Sequence, residues 1–135
     1  MAFQGISRSS LGGQVRNPYD LNRTPGGSSG GTGASVAANF AMLGIGTDTM
    51  NSVRSPASAC GVVGFRATRG LISRSGVCPV SWTQDQVGPI AKSVGDIKLV
   101  LDVISGFYDE EDNTTAVTHL SCEMFMVVCE GIRPS

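Results

Sequence analysis

Five of the eight residues from Gly26 to Gly33 are glycine, and no other feature restricts the fold of this chain as much. Ordering so permissive a backbone costs much entropy, which disfavours a helix or strand interior there. The segment is expected to be a loop that passes close to something, or turns where side chains would collide. The run 34–43 that follows is rich in alanine and carries Val36, Phe40 and Leu43 at i, i+4 and i+7. This spacing predicts a helix, with Gly44 placed to close it. The glycine loop would then lead into a helix N-terminus, where free N–H groups and the positive end of the dipole coincide.

Downstream, Ile45–Thr49 reads as extended, and Ser55-Pro56 as the N-cap and first residue of a second helix reaching about Val63. Leu71–Ser75 and Val77–Trp82 read as short strands or extended connections, split by Gly76. Ser93 with Asp96 forms a capping-box start for a third helix. Val94, Ile97, Val100, Leu101 and Ile104 fall on one face of it, and Gly106 ends it. Helices interleaved with short apolar extended runs give an α/β expectation. The acidic run 109–112 reads as a solvated loop. Beyond Phe107 the chain changes character, and His119–Ser135 has no clear period that would place it in the same core.

The chain has 135 residues, which bounds it to one modest domain. Ten Lys and Arg against eleven Asp and Glu leave a net charge of −1, with no basic excess for a nucleic acid or an anionic membrane. No apolar run approaches the ~18–20 residues that span a bilayer. Met1–Gly13 lacks the apolar core of a signal peptide, so the expected location is cytoplasmic. The four cysteines, Cys60, Cys78, Cys122 and Cys129, include no CxxC pair, and His119 is the one histidine. Buried free thiols in a reducing compartment are expected, with neither a metal site nor a cofactor. No feature sets an oligomeric state.

The glycine segment imitates several motifs. Gly26 and Gly31 have P-loop spacing, but Thr32 stands where a lysine must reach the phosphates, and GxGxxG is absent. GxSxG occurs twice, around Ser28 and around Ser29, as in the nucleophile elbow of a serine esterase. That elbow requires a strand before the serine, and residues 17–25 make a poor one. Its base would be His119.

A longer pattern covers roughly 100 of the 135 residues. It comprises Asn17–Gly31 and the alanine-rich helix, then Gly46-Thr47-Asp48-Thr49 with Ser52, Arg54 and Pro56, then Cys60–Arg66. Thr68-Arg69-Gly70, Ser73–Gly76, Asp85 and Gly88-Pro89 follow in order. This pattern resembles the amidase signature family and fades near Thr118. The resemblance implies a partial amidase-signature fold, a mixed sheet flanked by helices, over residues 1–118, with 119–135 as a divergent tail. The change of character there reads as a change of sequence source, such as a retained intron or shifted frame.

The resemblance further implies hydrolysis of a carbon–nitrogen amide bond in a small-molecule amide, through a Ser–Ser–Lys triad. Ser52 takes the position of the nucleophile, and Ser28 that of the relay serine with its cis peptide bond. The backbone N–H groups of Thr49, Met50, Asn51 and Ser52 take the place of the oxyanion hole. Ser29 is expected to support the loop, and Asp48 with Arg54 to form a fixing ion pair. The chemistry is sound in itself, since a serine hydroxyl is a weak nucleophile until a base takes its proton. Ser–Lys arrangements perform that task in other hydrolases, and a serine hydroxyl can accept and donate at once. Two positions depart from the family pattern. Met50-Asn51 replaces a Gly-Gly pair, which narrows the site while leaving the backbone donors in place. The family's lysine lies many tens of residues upstream of the glycine loop, whereas residues 1–27 contain none and Lys92 and Lys98 follow it. The chain is therefore expected to be a central portion of the family fold. Its alternatives are an inactive truncated amidase and a GxSxG esterase.

Overall fold

A computed structural model of the chain describes residues 5–118. In chain order a small ribbon of β1 (Arg8–Ser9) and β2 (Gly13–Gln14) comes first, then α1 (Gly30–Ala37), β3 (Leu43–Asp48), α2 (Arg54–Ala59), β4 (Val63–Gly64), β5 (Gln86–Ala91) and α3 (Val94–Ile104). The main sheet has the order β3-β5-β4, and both of its pairs are antiparallel. β3 runs against β5 from Leu43 opposite Ala91 to Asp48 opposite Gln86.

β5 is buried at every position, because both faces of the strand are covered. Side chains alternate along a strand, so Ile90 and Val87 point to opposite faces. Ile90 packs with Val36 of α1 and Val53 beside α2. Val87 packs with Ala67 and Ile72, and Leu101 and Ile104 of α3 lie against them. A third cluster joins Ala34 and Ala37 of α1 to Cys60 at the end of α2. The α/β class and the partial amidase-signature fold expected from sequence are what the chain adopts, while the described strands of the expected mixed sheet pair only antiparallel.

Several local expectations are corrected. α1 begins at Gly30, inside the glycine segment, and not at Ala34. Contact outweighs entropy here: a Cβ on Gly30 would overlap Ser7 Oγ and lie 2.9 Å from Pro25 Cγ, so only glycine lets these segments meet. The helix ends near Asn39, at φ 63°, before reaching Gly44. Phe40 and Leu43 therefore do not continue the stripe of Val36; Phe40 is 85% exposed and Leu43 opens β3. α2 starts two residues early, with Val53 and not Ser55 at its N-cap, because its first N–H groups are capped by a carboxylate from β3. Of the two readings of Leu71–Ser75 and Val77–Trp82, they are connections and not strands, and their backbone bonds close turns such as Leu71 N–H to Thr68 and Val77 N–H to Arg74.

β5 itself was hidden by its Gly88-Pro89 centre, a pair that argues against an interior strand. α3 forms as read, with its Ser93–Asp96 capping box complete and Gly106 following at φ 81°. The acidic run is solvated in part: Glu110 and Glu111 are exposed, whereas Asp112 is buried against Arg74, at 3.1 Å. Cys60 is a buried free thiol, but Cys78 is free and exposed. Cys122, Cys129, His119 and the tail 119–135 lie outside the described residues. Among the described residues, no helix is long and apolar enough to cross a membrane, and no group of three or more His, Cys, Asp or Glu could hold a metal ion.

Candidate active site

The glycine loop and the turn after β3 meet at one end of the sheet. The Ser29 N–H donates to the carbonyl of Ser52 at 3.1 Å, which sets residues 28 and 52 beside each other across 24 positions of sequence. Both Ser28 and Ser52 are half-buried, and the Gly27–Ser28 peptide bond is cis. Ser29 fastens the loop to β3: its Oγ accepts from Thr47 N–H and donates to Thr47 O, each at 3.2 Å. Gly46 permits this approach, for a Cβ there would sit 2.7 Å from Ser29 Oγ. From the other side the buried Ser7 accepts the Gly30 N–H at 2.9 Å and donates toward the carbonyls of Gly26 and Ser28 at 2.8 and 3.0 Å. Nothing in the sequence pattern marked Ser7.

The turn 49–52 is closed by Asp48, which is fully buried. Its Oδ2 accepts the N–H of Val53 at 3.1 Å and of Arg54 at 3.4 Å. The Arg54 guanidinium donates to both oxygens, Nε to Oδ2 at 3.1 Å and Nη2 to Oδ1 at 3.2 Å, and also to the Met50 carbonyl. Burial alone would push this carboxyl up, but the bonds from Arg54 and from the Val53 and Arg54 N–H groups hold it below the usual range. Arg66 Nε lies 3.3 Å from Oδ1 without an aligned hydrogen bond, a second positive charge beside Asp48. The expected Asp48–Arg54 pair is therefore present as geometry, and Arg66 joins it.

Among the described residues, the N–H groups of Thr49, Met50, Asn51 and Ser52 donate no hydrogen bond, and neither do the hydroxyls of Ser28 and Ser52. Met50 is 75% exposed at the rim of this turn. Thr49 Oγ1 donates to Asp85 Oδ1 at 2.5 Å. Asp85 was part of the sequence pattern, but only its position in the fold reveals what it touches.

Lys92 lies elsewhere. It follows Ala91, which pairs with Leu43 at the far end of β3 from Asp48, roughly 17 Å along the strand. There it donates to Asn39 Oδ1. It is not brought to the serines. The esterase elbow also fails to form: residues 17–25 run through turns, with a single bridge between Asn17 and Asp20, and no strand delivers Ser28 or Ser29.

The Amidase family model matches residues 1–125, nearly the whole chain. This chain belongs to the amidase family. Its relatives include a glutamyl-tRNA(Gln) amidotransferase subunit of Helicobacter hepaticus, 48% identical over 85% of this chain and 26% of that protein. The crystal structure of the corresponding Thermotoga maritima protein superposes with a TM-score of 0.75 at 50% identity, over 78% of this chain and 23% of that one. Native peptide amidase from Stenotrophomonas maltophilia superposes at 0.77 with 44% identity, over 82% and 22%. The chain thus spans about a quarter of the length of the relatives it matches.

Proposed function

We propose that this amidase-family chain hydrolyses a carboxamide through Ser52. The observation that carries this reading is the Ser29 N–H to Ser52 carbonyl bond, which holds the glycine loop against the turn bearing the nucleophile. Ser52 Oγ attacks the carbonyl carbon, and its proton passes to Ser28, whose hydroxyl gives its own onward to a base other than Lys92, in the place of the family's lysine. The developing oxyanion meets the N–H groups of residues 49–52; a single donor of this kind is worth about 3–4 kcal/mol of barrier. As the intermediate collapses, the proton taken from Ser52 is returned through Ser28 to the nitrogen, the amine leaves, and water cleaves the ester on Ser52 to the carboxylic acid and free serine.

The peptide amidase and the amidotransferase among the relatives support an amide substrate, and the amidotransferase, being built of subunits, supports a protein partner. A second reading has its own observation. Lys92 sits at the far end of β3 from the serines, which favours a folded scaffold that keeps the serines without turnover.

A fluorophosphonate probe separates the two. Active chain is labelled at Ser52, the label is lost in Ser52→Ala, and Ser28→Ala slows labelling by about 10²–10⁴-fold. A folded chain that takes no label at Ser52 supports the scaffold reading and rejects turnover.

A further inference from the structure

Asp85 divides its two oxygens between two segments. Oδ2 accepts the N–H groups of Val80 at 2.7 Å and Ser81 at 2.9 Å, closing the turn on which the residue itself stands. Oδ1 accepts the hydroxyl of Thr49, thirty-six residues distant, at 2.5 Å. A carboxylate serving merely as a turn cap has no use for the second contact. The turn carrying it is itself gripped by two guanidinium groups. Arg74 Nη1 donates to the Trp82 carbonyl and Arg66 Nη2 to the Gln84 carbonyl, each at 2.8 Å. Arg74 is in turn locked to the buried Asp112 through Nε at 3.2 Å and Nη2 at 3.1 Å. Asp85 immediately precedes β5, whose first residue pairs with Asp48. The turn 49–52 is therefore clamped at both ends, by Asp48 on the Val53 and Arg54 N–H groups and by Asp85 on Thr49.

We propose that Asp85 is a positioning residue for the oxyanion turn, holding the Thr49 hydroxyl so that the N–H groups of residues 49–52 stay aimed at the substrate carbonyl. The inference rests on the reading of Ser52 as the nucleophile. Burial would raise the Asp85 carboxyl, but the bonds from Thr49, Ser81 and Val80 and the nearby Arg74 charge keep it below the usual range, so the strut is ionised at neutral pH.

The test uses the whole chain with Thr49→Val, Asp85→Asn, the double variant, Thr49→Ser and Ser52→Ala. Two readouts are taken: the rate of fluorophosphonate labelling at Ser52, and the ¹⁵N order parameters of the Met50 and Asn51 amides. Thr49→Val removes only the Oδ1 contact, so it reports even if Asp85→Asn fails to fold. Small displacements of aligned groups are costly, so each single variant should label about tenfold more slowly. The double variant should be no slower than the worse single one, and Thr49→Ser should recover to within about threefold of wild type. The order parameters should fall from about 0.85 toward 0.6. Thr49→Val labelling at the wild-type rate, with both amides rigid, overturns the proposal. If Ser52→Ala abolishes labelling while Thr49→Val leaves it intact, this inference fails alone. If the wild type takes no label, or Ser52→Ala labels as well, the nucleophile reading fails. The amides then decide whether Asp85 fixes the turn: loosened in Thr49→Val they support it, rigid they overturn it.

Discussion

The two ends of β3 share one ladder with β5 and differ in almost everything else. At the Asp48 end the backbone is held by side chains: Asp48 grips two N–H groups, Ser29 bonds Thr47 twice, and Asp85 holds Thr49. At the Leu43 end a cavity of about 410 Å³ opens among Asn39, Phe40, Met42, Leu43, Lys92 and Leu99. There Phe40 and Met42 are 85% and 88% exposed, and the polar contacts are Lys92 to Asn39 and the Ser93–Asp96 capping box of α3. Ladder bonds alone fix the strand pair, but they do not aim a turn. The polar clamps on β3 stand at the Asp48 end, beside the turn 49–52, whereas at the Leu43 end Asp96 lines the cavity and its bonds with Ser93 cap α3 and not β3.

Asp48→Ala should break that contrast most strongly. It strips the cap from α2 and leaves Arg54 and the buried Arg66 Nε without their counter-charge. Urea unfolding should show a loss of about 2–4 kcal/mol, and a change below about 1 kcal/mol would mean the clamp is not structural.

Acid should loosen the clamped end next. Asp48, Asp85 and Asp112 are all held below the usual carboxylate range, Asp112 chiefly by its bond from Arg74. With the folded pKa depressed, the unfolded chain binds more protons in the interval between the two values. These groups contribute fully above the unfolded value near pH 4, and their stabilisation is lost as pH falls through the lower folded values. Thermal midpoints should be insensitive to these three groups above about pH 5 and should drop steeply below pH 4. In Asp112→Asn the acid limb should be shallower.

Ser29→Ala removes two neutral hydrogen bonds and should cost about 1 kcal/mol. Its Ser52 labelling should slow without being abolished, because the Ser29 N–H to Ser52 bond remains. At the opposite end, Phe40→Ser should change stability by less than about 0.5 kcal/mol, since an exposed side chain has little burial to lose. A larger loss in urea would show that the Leu43 end is packed after all.

Much of the site was legible as an ordered pattern of residues. The loop 26–33, the turn 48–54 and the pairing of Asp48 with Arg54 are local in sequence, and each carries types suited to its task. The Ser93–Asp96 cap was legible for the same reason, because both partners lie within one helical turn. The errors share one cause. α1 starts early because Ser7 and Pro25 press on Gly30, α2 because Asp48 caps it from another element, and β5 forms through Gly88-Pro89 because both of its faces are covered. Asp112 left the solvent for Arg74, thirty-eight residues away.

By itself, then, the sequence determined the α/β class, the family, the third helix and which serines lie in the glycine loop and the turn. These rest on short-range preferences and on residue order. Only the tertiary structure decided that the Ser29 N–H meets the Ser52 carbonyl, that Lys92 stands at the Leu43 end of β3, and that Asp85 reaches Thr49. Such contacts join residues tens of positions apart, and their energies exist only once burial has removed the water that would otherwise satisfy the same groups.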